Sequence, residues 1–255
     1  MIDLAHVCFA VLTYPWRLPL SGSRAVLVLT SHARFGDSDR PTGFWYEELA
    51  APYHVLTDAG VEVTLASPAG GQPPVDPASL TPAAVTDAVD RFRADPDAVA
   101  RLAATVPLAG LDDSAFDSVV LVGGHGTMWD FPANPPLADL LTAVLSRGGT
   151  VGAVCHGAAA LVDLQTAGRS VVDGRQLTAF SDSEEELVAA TGLVPFSLEQ
   201  RLRALGARYA AGQPFAPHVL RDGQLVTGQN PASSTRVAEL VADAVRPART
   251  APTRP

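Results

Sequence analysis

Cys155 and His156 stand side by side in the stretch Thr150-Val151-Gly152-Ala153-Val154-Cys155-His156-Gly157. A deprotonated thiol is a strong nucleophile near neutral pH, and an imidazole can carry the proton it gives up. The residues before the pair are small, apolar and β-branched, and an Ala/Leu-rich run, residues 158–164, follows. The pattern reads as a buried strand, a sharp turn and a helix, with Cys155 at the turn. A thiol at a helix N-terminus meets unpaired backbone N–H groups, so its pKa is expected to fall. A second stretch, Gly123-Gly124-His125-Gly126, permits close backbone approach and can present N–H groups to an anion. With the cysteine turn, it predicts an oxyanion hole whose backbone donors come from Gly124 and His156. The other histidines (His6, His32, His54, His125 and His218) show no paired ligand spacing, so no metal site is expected.

The elements that must position these groups alternate along the chain. Residues 24–30 and 61–66 read as strands around a helical stretch at 43–59, a βαβ unit that implies a parallel sheet. Residues 72–110 break the rhythm with a Pro-rich opening and a helical pattern over 81–104, and read as a cap-like insertion. The alternation resumes with a strand at 116–122, a helix at 137–146 and a strand at 150–154. A short strand is expected at 176–180, a helix start near Ser183 and Glu186 with capping-box spacing, and a helix at 195–205. Asp222-Gly223 marks a hairpin within 219–227, and residues 231–245 form the last helix. The whole reads as one α/β domain over 23–247, a doubly wound, mostly parallel sheet flanked by helices. Residues 1–22 are an N-terminal extension and 248–255 a frayed tail. In such sheets ligands collect at the carboxyl ends of the strands, where Gly123–Gly126, Cys155-His156 and the polar loop Ser31 to Thr42 after the first strand fall.

Composition narrows the class. Hydrophobic residues make up 47 % of the 255-residue chain and charged ones 18 %, which suits a folded enzyme and not a disordered protein. A net charge of −9 with no basic cluster argues against a nucleic-acid partner. Two cysteines, Cys8 and Cys155, give no disulfide framework, so a reducing cytoplasm is expected. The apolar stretch at residues 4–12 is too short to span a membrane and lacks a basic leader.

Taken together and in order, several motifs give the chain a family likeness. Cys155-His156-Gly157, Gly123-Gly124-His125-Gly126 and Thr42-Gly43-Phe44-Trp45-Tyr46-Glu47-Glu48 resemble the ThiJ/PfpI superfamily, whose fold is the flavodoxin-like, class I glutamine-amidotransferase-like α/β sandwich. The stretches Ala66 to Pro77, Phe180 to Glu186 and Thr227 to Ser234 are similar to its heat-shock-chaperone-like branch of glutathione-independent glyoxalases, or glyoxalase III. The likeness spans about residues 24–245. It implies that Glu48 acts as general acid/base at the sulfur of Cys155, with a pKa raised by burial. It also implies that Glu185 orients His156, with Glu184 and Glu186 as neighbouring alternatives. Two departures stand out: Ala158 where the family commonly has proline, and the extension through Gly22.

The expected reaction is cofactor-free conversion of a small 2-oxoaldehyde, such as methylglyoxal, to the hydroxy acid through a Cys155 hemithioacetal. Its expected catalytic residues are Cys155, His156, Glu48 and Glu185, with His125, Trp129 and Phe44 around the substrate and Met128 as a further apolar wall. Family likeness implies a homodimer. Two other readings use the same cysteine: hydrolysis of an amide or peptide, or hydration of a specialised metabolite, and a stress chaperone whose cysteine is oxidised. Glutaminase chemistry is disfavoured, because the region around His218 reads Ala-Pro-His-Val-Leu and lacks a His-Pro-Glu element.

Overall fold

The computed structural model describes residues 22–245, so the extension before Gly22, the tail and Cys8 lie outside the described residues. Strand β1 (Arg24–Val28) is followed by α1 (Tyr46–Asp58) and β2 (Glu62–Ser67). Next come α2 (Asp87–Ala94), α3 (Pro96–Ala103) and the two-residue β3 (Val106–Pro107). Strand β4 (Ser118–Leu121) leads to α4 (Thr127–Asp130), α5 (Pro135–Ser146) and β5 (Thr150–Val154). A small hairpin, β6 (Gln165–Thr166) with β7 (Arg169–Ser170), precedes β8 (Gln176–Leu177), α6 (Asp182–Leu187), α7 (Leu198–Ala204) and β9 (Arg208–Tyr209). Strands β10 (Val219–Asp222) and β11 (Leu225–Gly228) and helix α8 (Ser234–Ala244) complete the described chain.

The main sheet runs in the order β10-β11-β5-β4-β1-β2-β3, parallel except for the β10–β11 hairpin. Alternation along β1 divides the core. Val26 and Val28 join a cluster with α5 and α7, while Ala25 and Leu27 join one with α1, α2 and α8. Both faces are covered, which is why these strands read as continuous apolar runs. Because β4 and β5 are adjacent and parallel, their carboxyl ends bring the Gly123–Gly126 loop beside the Cys155 turn.

Local structure departs from the sequence reading in four places. The segment after Cys155 is a 3₁₀ helix, Cys155–Leu161, instead of an α-helix at 158–164. Gly157 lies against the backbone carbonyl of Leu121, so a side chain there would collide with β4. The helical stretch at 81–104 is two helices, split where Asp95 caps α3 just ahead of Pro96. The strand expected at 176–180 is cut to Gln176–Leu177, which pairs with β9 outside the main sheet. The capping box falls two residues earlier than Ser183 and Glu186: the Ser181 hydroxyl accepts from the Glu184 N–H, and the Glu184 carboxylate accepts from the Ser181 N–H. Residues 72–110 contribute α2, α3 and the edge strand β3, with Val89 and Phe92 packed into the α1 side of the core.

Gly157→Ala is expected to lose about 1–3 kcal/mol of unfolding free energy from backbone overpacking. Urea denaturation measures it, and an unchanged midpoint would contradict the close packing of this turn on β4.

Candidate functional site

The backbone at Cys155 has φ 57°, a left-handed conformation that non-glycine residues adopt at a cost. It lets the chain leave the fully buried strand β5 and turn at once, so the thiol stands at the sheet's carboxyl edge. The side chain is nonetheless enclosed, with Cys155 only 4 % exposed.

His156 is fully buried, and its Nδ1 lies 3.2 Å from the Cys155 sulfur. Its Nε2 donates to Glu185 Oε2 over 2.8 Å. A carboxylate offers no proton, so this bond fixes the proton on Nε2 and, in the neutral ring, leaves Nδ1 as an acceptor facing the thiol. Glu185 also receives a bond at its other oxygen: His125 Nε2 donates to Oε1 over 2.8 Å. The two imidazoles lie 4.0 Å apart between centroids, each held by the same carboxylate. Although burial opposes ionisation, His156 and then His125 hold Glu185 well below the ordinary carboxylate range. Burial, aided by the proximity of His156, lowers His125 to about 4, so this ring is neutral at physiological pH.

Glu48 projects from α1 and is fully buried. Its Oε2 accepts the Gly123 N–H over 2.9 Å, and its carboxyl interacts with the Cys155 thiol. Gly123 has no room for a side chain, because one would meet Glu48 Oε2 and the carbonyl of Val154. Pro52, one turn further along α1, cannot donate the usual helical hydrogen bond to the Glu48 carbonyl. Burial pushes Glu48 up to about 8, so it is mainly protonated at neutral pH. Burial and then the neighbouring Glu48 also push the Cys155 thiol up. This corrects the lowered pKa expected at a helix N-terminus. The backbone N–H of His156 does favour the thiolate, but desolvation outweighs it. His156 Nδ1 is the adjacent acceptor for the thiol proton.

The three neighbouring acids of α6 have separate places. Glu185 holds the histidines, while the fully buried Glu184 accepts from Ser181, the Phe215 N–H and Asn230 Nδ2. Glu186 is exposed. The Thr127 hydroxyl ties the two site loops together, 2.9 Å from the Gly124 carbonyl oxygen and 2.8 Å from that of His156. Among the described residues, no acceptor takes the Gly124 N–H.

Of the expected substrate neighbours, His125 belongs to the cluster. Trp129 is half-buried, stacked on His32 at 4.9 Å and linked to His125 through Phe35, whose ring lies 4.8 Å from the imidazole. Phe44 and Met128 are core residues, and the Phe44 ring packs on Tyr46. Two aromatic neighbours escaped the sequence reading. Phe35 sits in a stretch that reads as a polar loop, and Phe180, 4.5 Å from the His156 ring, reads as the end of a strand. Local spacing also could not reveal that His125, His156 and Glu185 bring ligand atoms within 4.8 Å of one another, since they come from three separate elements.

The fold and this constellation define a class, flavodoxin-like α/β proteins with a cysteine on a strained turn after a central strand. The DJ-1/PfpI family profile matches residues 42–244, and the chain belongs to the DJ-1/PfpI family. It is similar to glyoxalase 3 of Candida albicans, with 29 % identity over 230 residues, covering 85 % of this chain and 95 % of that one. The glutathione-independent glyoxalase HSP31 of Saccharomyces cerevisiae is 29 % identical over 238 residues, covering 89 % and 100 %. Among solved structures, glyoxalase III from Candida albicans superposes with a TM-score of 0.80 at 29 % identity, covering 87 % of this chain and 97 % of that one. The Rapid Encystment Protein 24 kDa of Francisella tularensis gives 0.84 at 33 % identity, covering 88 % and 99 %.

A carboxyl raised to about 8 makes stability depend on pH. The folded state keeps the Glu48 proton while the unfolded chain releases it above about 4.5. Stability from this group is therefore present below that pH and is lost as pH rises toward 8, on the order of 4–5 kcal/mol in total. Glu48→Gln, an isostere of the neutral acid, is expected to flatten the decline and to exceed wild type in stability at pH 8. Urea unfolding at pH 5 and pH 8 checks this, and parallel declines in both proteins would contradict it.

Proposed function

We propose that this protein is a glutathione-independent glyoxalase that converts a small 2-oxoaldehyde such as methylglyoxal to its 2-hydroxy acid, with Cys155 as the nucleophile. One observation carries the reading: the Cys155 sulfur lies 3.2 Å from an imidazole nitrogen whose ring is oriented by Glu185, and a buried carboxyl interacts with the same sulfur. The names of the curated relatives point the same way.

In the proposed route, sulfur bonds to the aldehyde carbon as His156 Nδ1 takes the thiol proton, which then passes to the former aldehyde oxygen to give a hemithioacetal. His156 next removes the hydrogen on that carbon. The electron pair forms the C1–C2 double bond, and Glu48, protonated at neutral pH, gives its proton to the ketone oxygen. Protonation at C2 and loss of the C1 hydroxyl proton leave the Cys155 thioester of the hydroxy acid. Water cleaves it to the acid and the free thiol. C1 is oxidised as C2 is reduced, so the conversion needs no external electron acceptor. Gly124 and His156 supply backbone N–H groups for the developing oxyanion, and His125, neutral and held through Nε2, offers Nδ1 as an acceptor for a substrate hydroxyl. The burial and raised pKa of Cys155 disfavour a redox-sensing role, because oxidation follows exposure and thiolate character.

Lactate production from methylglyoxal without glutathione tests the proposal. Wild type is expected to turn over, and Cys155→Ser to fall to background. Glu185→Gln is expected to lower kcat by about a hundredfold with a smaller change in KM. Full lactate production by Cys155→Ser would overturn the mechanism.

A further inference from the structure

We infer that His125, His156 and Glu185 form a binding site for a transition-metal dication of the Zn²⁺ type, and that an ion held there excludes catalysis. One imidazole nitrogen from each histidine and a Glu185 oxygen lie within 4.8 Å of one another, and the Nε2 atoms are the ones that face the carboxylate. Imidazole with carboxylate suits Zn²⁺, Co²⁺, Ni²⁺ or Cu²⁺ better than the oxygen-seeking Mg²⁺ or Ca²⁺. Around a four-coordinate ion with bonds of about 2.0–2.1 Å, donor atoms sit roughly 3.3–3.5 Å apart. The two N–H···O contacts of 2.8 Å, one to each oxygen of Glu185, have to open by about half an ångström, and the donors now as much as 4.8 Å apart have to close by about 1 Å.

The supports are those a metal site requires. His125 follows β4, His156 follows β5 and Glu185 lies on α6, so three ordered elements hold the donors with little freedom. All three side chains are buried, and Glu185 forms part of the wall of a cleft of about 580 Å³ that also carries Asp182 and Glu186. That cleft brings solvent up to Glu185 beside two further acidic residues, whose charge draws a cation. The sulfur of Cys155 faces the other nitrogen of His156, so it stands behind the ligand and outside the donor set.

Occupancy changes what His156 can do. A neutral ring that binds an ion through Nε2 carries its single proton on Nδ1. The proton count of the ring is unchanged, but Nδ1 becomes a donor toward the sulfur and can no longer accept the thiol proton. The exclusion of catalysis rests on the glyoxalase reading, whereas binding of the ion does not.

The test is titration of metal-free wild type, Cys155→Ser, His125→Ala and Glu185→Gln with Co²⁺ as the probe, read by absorption, after circular dichroism verifies that each is folded. One ion per chain is expected, with visible bands of a four-coordinate nitrogen/oxygen site and no thiolate charge-transfer band. Cys155→Ser is expected to bind as wild type does, and His125→Ala and Glu185→Gln each about tenfold more weakly or worse. Loss of binding in Cys155→Ser, a thiolate band in wild type, equal binding by folded His125→Ala and Glu185→Gln, or no saturable binding would overturn the site. In the kinetic arm, saturating Co²⁺ is expected to lower methylglyoxal turnover at least tenfold, with recovery on adding a chelator. Undiminished turnover at full occupancy would overturn the exclusion. A wild type without methylglyoxal turnover would instead overturn the glyoxalase reading, while the absorption arm still decides the site.

Discussion

The left-handed backbone at Cys155 is the constraint on which the neighbouring structure depends. A residue with a side chain pays on the order of 1–2 kcal/mol to sit at φ 57°. The packing around it holds it there: β5 is buried on both faces, and Gly157 lies too close to the Leu121 carbonyl for any side chain. Thr127 then links the carbonyls of Gly124 and His156, fixing the glycine loop to the cysteine turn. Relaxing the turn would shift the sulfur relative to His156 and Glu48 together.

Around that turn, burial sets the charge state of each group according to its partners. Glu48 has one backbone donor and a thiol for company, so desolvation wins and the acid keeps its proton at neutral pH. Glu185 is also largely enclosed, yet two imidazole N–H donors outweigh the same penalty and keep it ionised. Two carboxyl groups in one site are thus driven to opposite states, one neutral and one ionised. Neither could take the other's place without losing those partners.

The aromatic walls of the site come from connecting segments. The loop between β1 and α1 folds back on itself, with the Phe35 N–H donating to the Arg40 carbonyl, and lays Phe35 against His125. The Arg40 guanidinium covers the outer face of that ring at 4.3 Å and donates to the carbonyl of Ala189, just beyond α6. The loop is thereby tied to the helix that carries Glu185. On the far side Phe180 packs on His156, and Glu184 ties the start of α6 to the Phe215 and Asn230 segments.

The main sheet and the place of the cysteine turn are legible in the residue pattern alone. Continuous apolar runs at 24–30, 116–122 and 150–154 have no stable alternative to burial on both faces, and small residues around Cys155-His156 leave the chain few ways to leave its strand. The family motifs added Glu48 and Glu185, although the spacing of three consecutive acids could not choose among them. Tertiary structure made that choice, because the true cap, Ser181 with Glu184, rotates Glu185 toward the histidines and Glu186 toward solvent. It also reversed the expected direction for Cys155, since desolvation depends on what encloses a thiol and not on which residues flank it. The pairing of His125 with His156 through one carboxylate likewise belongs to the fold. Residues 125, 156 and 185 meet only because β4 and β5 lie side by side with α6 packed at their carboxyl ends.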